Sequence, residues 1–233
     1  KSKGNVIDPL DIIDQGYGAD SLRTYVLFMG PVELDAAWDS KGIAGIYRFL
    51  NRVFTLVEEY VEVKKDGKRI IETEKELKQL DAKTTKKVTE DIYRNSFNTA
   101  IASLMEYVNA LYKLKVKGMN EEAWLNAITN LVQEIAPFAP HMAEELWRDL
   151  GYKEMIHNYP WPTFDESLLK TDTMKIMVQV NGKLRSEILV ASDASEESVK
   201  TTALNDEKVK TYIKDKAPKR VIYVKGRIIN IVI

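Results

Sequence analysis

The sequence predicts an α+β fold: mainly an antiparallel α-helical bundle, followed by a small β-β-α-α-β-β domain. Three observations predict it. Apolar residues recur at three- and four-residue steps over most of 43–150, the signature of helices with one buried face. Past residue 171 the period drops to two, as in half-buried strands. Two similar segments, Val180-Asn181-Gly182-Lys183-Leu184-Arg185 and Val224-Lys225-Gly226-Arg227-Ile228-Ile229, each centre on a glycine turn flanked by strand residues, so each reads as a hairpin.

Taken in order, Asp8 to Gly30 reads as two short helices. Pro9 suits the first helical turn, Gly16-Tyr17-Gly18 stops that helix, and Asp20 is the expected cap of the second, Ser21–Met29. Asp39 is a candidate cap for a long helix carrying Ile43, Ile46, Tyr47, Leu50, Val53, Phe54 and Val57. Gly67 marks a turn, and Thr73 with Glu76 forms a capping box for a polar helix to about Tyr93. A third bundle helix starts near Ser96, a fourth near Asn120, and a short last one follows Pro137 and Pro140 and closes at Gly151. Residues 151–170 lack periodicity. Their Tyr159-Pro160-Trp161-Pro162 run predicts a stiff extended segment crossing the bundle, with Trp161 as anchor. Ile176, Val178 and Val180 then form a strand, and Leu184, Ser186, Ile188 and Val190 form its return. Helices at 195–204 and 206–215 and the second hairpin complete the chain.

Composition narrows the chemistry. Cysteine is absent and only His141 and His157 are present, so disulfides, thiolate chemistry and a zinc centre are excluded, and no metal site is expected. No apolar run approaches the roughly 20 residues that cross a membrane. A reduced, cytoplasmic setting fits. Residues 171–233 hold 12 Lys and Arg against 8 Asp and Glu; the rest of the chain holds 22 against 27. A small basic domain on an acidic body points to an anionic partner at the C-terminal end.

No catalytic set stands out among the side chains. His141 reads as a structural histidine bonded to a neighbour, and Glu144-Glu145 as surface charge. The basic residues carry more. Period-two alternation puts Lys183 and Arg185 on one face, while Lys219, Arg220, Lys225 and Arg227 gather about the second hairpin. They fit contacts to a nucleic-acid backbone, and equally the protection of sheet edges by charge. At the N-terminus, Lys1-Ser2-Lys3-Gly4-Asn5 suits an anion, through mobile ammonium groups and a glycine that lets backbone N–H groups approach.

Three separated stretches resemble one family. Lys1-Ser2-Lys3-Gly4-Asn5-Val6 with the Tyr17–Arg23 block is similar to the end of the K-M-S-K-S loop, and the segment after it, in class I aminoacyl-tRNA synthetases. Residues 136–147, from Ala-Pro-Phe-Ala-Pro-His to Glu-Glu-Leu-Trp, resemble the last helix of the anticodon-binding bundle shared by the leucine, isoleucine and valine enzymes. Val178–Arg185 and Gly226–Val232 resemble the C-terminal domain of the bacterial leucine enzymes, and Arg94–Ala102 fits the same group.

The resemblance implies a C-terminal fragment that begins inside the K-M-S-K-S loop. Residues 1–37 would end the catalytic domain, 38–170 would form the anticodon-binding-type bundle and 171–233 a small tRNA-contacting domain. Lys1 corresponds to the motif's second lysine and Ser2 to its last serine, which makes both ATP-binding positions and Lys1 the one catalytic position. The implied partners of the intact enzyme are leucine, leucine tRNA and ATP with Mg2+. The fragment, monomeric and away from membranes, would bind no cofactor and catalyse nothing. Arg48, Arg52 and Arg94 on the bundle, with Lys183, Arg185, Lys219, Arg220, Lys225 and Arg227, are the candidate tRNA contacts. The alternative is a non-catalytic helical protein-interaction module with a small β tail domain.

Overall fold

The computed structural model describes residues 7–66, 74–119, 121–169, 173–214 and 216–233. The chain divides into two compact units, Lys1–Leu169 and Lys170–Ile233. Lys1, Ser2, the Gly67 turn and the Thr73 end of the expected capping box lie outside the described residues.

The first unit opens with α1 (Pro9–Ile12), capped by Asp8, whose carboxylate accepts the Leu10 N–H at 2.9 Å. A π-helical turn, Ile13–Tyr17, leads into α2 (Gly18–Phe28). The break falls where the sequence places it, because Gly16 adopts φ +89°, which side chains with a Cβ resist. Asp20 departs from expectation. It lies inside the first turn of α2, not ahead of it, and its carboxylate bonds the start of a different helix.

Asp39 makes the turn into α3 (Gly42–Asp66): its carboxylate accepts the Lys41 N–H and its carbonyl that of Gly42. A Cβ at Gly42 would stand 2.6 Å from the Tyr25 ring, so glycine permits α2 and α3 to meet there. The bundle continues with α4 (Glu74–Tyr93), α5 (Phe97–Lys115), α6 (Glu121–Ile135) and α7 (Pro140–Asp149). Asn95 at φ +56° and Gly151 at φ +97° end α4 and α7 in left-handed turns. Ile46, Val53, Val57, Leu104, Leu111, Trp124, Ile128, Val132 and Trp147 fill one continuous core, the apolar stripes of the individual helices brought together.

One polar node sits inside that core. Asp81 on α4 accepts hydrogen bonds from Tyr107 Oη on α5 at 2.7 Å and from Asn130 Nδ2 on α6 at 2.8 Å. One turn beyond Asn130, Glu134 is fully buried and neither of its oxygens has a hydrogen bond. Burial pushes its carboxyl up to about 8; the Thr85 hydroxyl nearby pulls it part of the way back, and the Asp81 charge pushes it further up.

The crossing segment after Gly151 is anchored mainly by rings. Tyr152 stacks on Trp147 at 3.8 Å between centroids, and Tyr159 meets both edge-on. Trp161, the expected anchor, stays 37% exposed; its indole N–H donates to Thr89 Oγ1 at 2.8 Å while Pro160 O accepts from Gln133. Glu144, read from sequence as surface charge, is largely buried instead, and its Oε2 accepts the Ile156 N–H.

The second unit comprises β1 (Thr173–Val180), β2 (Lys183–Ala191), α8 (Glu196–Asn205), α9 (Glu207–Ile213), β3 (Arg220–Val224) and β4 (Ile228–Val232). The strand order is β2-β1-β4-β3: two antiparallel hairpins joined by a parallel β1–β4 pair. Helices α8 and α9 cover one face, where Val199, Ala203, Val209 and Ile213 pack on Ile176, Val178, Ile188, Ile229 and Ile231. Asn181 and Gly182 both take positive φ, as a tight hairpin turn demands. Two asparagines tie that turn to the end of the chain: Asn230 Oδ1 accepts the Gly182 N–H, and Asn181 Oδ1 accepts that of Ile233.

Glu134 makes stability depend on pH. Folded, it keeps its proton up to pH about 8; unfolded, it ionises in the usual carboxylate range. The stability it contributes is complete below that range and is lost as pH rises through 8. Wild-type protein should therefore lose on the order of a few kcal/mol between pH 5 and 9. Urea denaturation of the isosteric Glu134→Gln variant should show a much flatter pH profile.

Candidate nucleic-acid interface

Arg48 and Arg52 lie four residues apart on α3 and so share one side of the helix. Arg48 is exposed. Arg52 is engaged: Nη1 donates to Asn109 Oδ1 at 2.7 Å, and its guanidinium lies 4.5 Å from the centre of the Tyr112 ring. Tyr112 donates its hydroxyl back to the Arg52 carbonyl, and Lys115 Nζ sits 4.0 Å from the same ring while pairing with Glu59. This knot of cations on an aromatic ring joins α3 to α5. Arg94 is exposed at the turn between α4 and α5, on a different element from the α3 pair.

In the second unit the strand directions redistribute the basic residues. β4 runs parallel to β1, so its C-terminal end lies beside the Asn181-Gly182 turn. β3 is antiparallel to β4, which brings its first residue, Arg220, opposite Val232 at that same end. Lys183, Arg185, Lys219 and Arg220 therefore occupy one end of the sheet. Lys225 and Arg227 flank the β3–β4 turn at the other end, roughly 15 Å of strand away. The single cluster expected about the second hairpin is thus divided. Even at the shared end, β2 and β3 are opposite edges of the sheet, three strand spacings or about 14 Å apart.

The first hairpin contains a bulge that period-two reasoning cannot foresee. Val178 faces Ser186, but Gln179 faces Leu184, so Arg185 is the extra residue. As a result Leu184 leaves the core face assigned to it and is 52% exposed. Lys183 pairs with buried Val180 on the helix side of the sheet, and Arg185 lies 4.1 Å from the Tyr212 ring of α9. The Arg185 Nε–H is buried without a partner, while the side chain as a whole is half-buried. Lys183, Lys219, Arg220, Lys225 and Arg227 are exposed. The arrangement suits anion binding along a sheet end, with Arg185 braced by an aromatic ring and the others exposed.

Both histidines line one groove beside α7, with Glu144, Glu145, Asp149 and Trp161. Its carboxylates make it a poor place for a phosphate. Among the described residues no cluster of His, Asp and Glu has the geometry of a metal site, and no helix is long and apolar enough to cross a membrane.

Residues 74–201 match the family model described as the anticodon-binding domain of tRNA ligase, more than half of the chain. The chain belongs to that family. The match runs from α4 through the rest of the bundle and into β1, β2 and most of α8. Across its whole length the chain is 44% identical to leucine–tRNA ligases of two Dehalococcoides mccartyi strains, BAV1 and CBDB1. It spans 28% of the length of each. Among solved structures it superposes over its full length on 31% of the Agrobacterium radiobacter K84 agnB2 LeuRS, with a TM-score of 0.80 and 33% identity. That protein was solved as a ternary complex with tRNA and LeuAMS.

Sequence reasoning missed the role of Tyr112, because an aromatic at helical spacing looks like core. It also missed Tyr212, which is adjacent to Arg185 only through the fold. The Arg52 knot makes a prediction that separates the two α3 arginines. Arg52→Ala should lower the stability of the bundle by about 1–2 kcal/mol through the lost hydrogen bond and ring contact. Arg48→Ala should leave the denaturation midpoint within about 0.5 kcal/mol of wild type.

Proposed function

We propose that the chain is the tRNA-binding C-terminal portion of a leucine–tRNA ligase. In its intact form such a ligase activates leucine with ATP, as its Mg2+ complex, and transfers it to leucine tRNA in the cytoplasm. The observation that carries this reading is the 44% identity to leucine–tRNA ligases, which extends over the whole chain and so over the regions of all three resembling stretches. The basic sheet end supports it, since four cations on two edges can reach phosphates that a flat patch cannot. Contacts of this kind read the shape and backbone of RNA, not its sequence.

On this reading the two units divide the work. The bundle offers Arg48 and Arg94 to the tRNA body, and Arg52 stiffens the α3–α5 surface beside Arg48. The small domain brings Lys183, Arg185, Lys219 and Arg220 at one end, with Lys225 and Arg227 as a second contact point at the other. Lys1 serves the ATP phosphates: a flexible ammonium is well suited to the charge that grows when the leucine carboxylate attacks the α-phosphate and pyrophosphate leaves. That role needs the activation centre of the intact ligase, so the 233-residue chain alone acts as a monomeric RNA-binding piece with no ligase activity.

Two measurements test the reading. Filter binding over a salt series should show the chain holding leucine tRNA, with affinity falling as salt rises; reversing the charge of Lys183 and Arg220 together should reduce the salt slope by about 1–2. Absence of binding to leucine tRNA at low salt would remove the RNA role. In the intact ligase, Lys1→Ala should lower leucine-dependent pyrophosphate exchange at least about a hundredfold while leaving leucine affinity nearly unchanged. Equal losses in both would make Lys1 a shaper of its loop.

A further inference from the structure

Two hydrogen bonds join parts of the chain more than 120 residues apart, and they join two of the motifs noted in the sequence. Asp20 belongs to the Tyr17–Arg23 block on α2; His141 and Met142 open α7 in the Ala136–Trp147 block. One oxygen of the Asp20 carboxylate lies 2.7 Å from His141 Nδ1, and the other accepts the Met142 N–H at 2.8 Å. With both oxygens engaged by different donors, the carboxylate is fixed in position and in rotation. Its side chain is only 13% exposed, so water competes poorly for it.

The need for this contact is visible in α7 itself. The residue at its N-cap is Ala139, which has no acceptor to offer, and no side chain local to the helix caps it. The cap is delivered from α2 instead, and its negative charge sits where the helix dipole favours one. One turn along α2, the Thr24 hydroxyl donates to the Phe138 carbonyl at 3.2 Å, in the turn just before α7. Held at two points one turn apart, α2 resists both sliding and rolling against the bundle. Apolar packing alone would constrain neither motion so closely.

We propose that Asp20 is a positioning residue, which locks the segment following the K-M-S-K-S remnant to the tRNA-binding bundle so that bound tRNA and the activation centre keep one register. The inference rests on the function proposed above. Activation of leucine by ATP takes place within the catalytic portion. Transfer needs both portions at once: the terminal ribose hydroxyl of the tRNA bonds to the leucyl carbonyl carbon, the bond from that carbon to AMP breaks, and the hydroxyl proton is released to solvent. Misplacement of a held reactant by about 1 Å is enough to slow such a step severely. Loosening the lock therefore slows transfer and spares activation.

The test uses the intact ligase carrying Asp20→Ala, His141→Ala or His141→Asn, with pyrophosphate exchange and single-turnover transfer from preformed leucyl-adenylate measured side by side. Asp20→Ala should slow transfer about tenfold or more, with exchange within about twofold of wild type. His141→Ala, which keeps the Met142 bond, should show a smaller loss of the same kind. His141→Asn should restore most of it, because the Asn Nδ2 places an N–H near the site of Nδ1. Parallel loss of exchange and transfer, or transfer at the wild-type rate in Asp20→Ala, would overturn the proposal. A wild-type protein without leucine-dependent exchange would instead overturn the function on which it rests.

Discussion

The first unit depends on a carboxylate placed where carboxylates are costly. Asp81 is mostly removed from water, and it stays there because Tyr107 and Asn130 reach it from two other helices. Its pKa is raised by burial in spite of both hydrogen bonds, and burial, helped by the Asp81 charge, pushes the Tyr107 hydroxyl well above its usual range. Apolar side chains hold helices together but tolerate small slips along their axes, since one methyl contact resembles the next. The Asp81 node does not tolerate them: a shift of an ångström on α4, α5 or α6 would strand a buried charge. It thereby sets the register on which the positions of Tyr112 on α5 and Arg94 after α4 depend.

A similar logic recurs at each junction between elements. Helix α7 lacks a cap of its own and takes one from α2; the crossing segment is fixed to α7 by Glu144 and a cluster of three rings; Arg52 closes α3 onto α5. In the small unit, Asn181 and Asn230 perform the corresponding task between the first hairpin and the last strand. The ties to the Met142 and Ile156 N–H groups also satisfy part-buried backbone donors. The side chains left over, Arg48, Arg94, Lys183, Lys219, Arg220, Lys225 and Arg227, remain exposed.

Much of this was legible in the chain itself. The stripe from Ile43 to Val57, the paired positive-φ residues Asn181 and Gly182, and the stop at Gly151 follow from local rules, because each acts within a few residues of itself. Other features were not legible. Asp20 looked like the cap of its own helix because the rule for caps concerns neighbours in sequence, while its partners are in α7. Glu144 read as surface charge because nothing adjacent shows that Ile156 will return to it. Leu184 read as core because a bulge shifts the alternation by one residue without a marker in the sequence.

The sequence by itself determined the fold class, the order of nearly every element, and the family, since periodicity, turn chemistry and short motifs are all local in the chain. The tertiary structure alone decided which basic residues share an end of the sheet. Lys183 and Arg220 share an end of the sheet while Lys225 lies at the other, a consequence of β4 pairing parallel to β1. It also decided that the Tyr17–Arg23 block grips the start of α7 through Asp20. Both facts concern residues far apart in sequence, and their contacts follow from strand direction and helix packing, which no local pattern encodes.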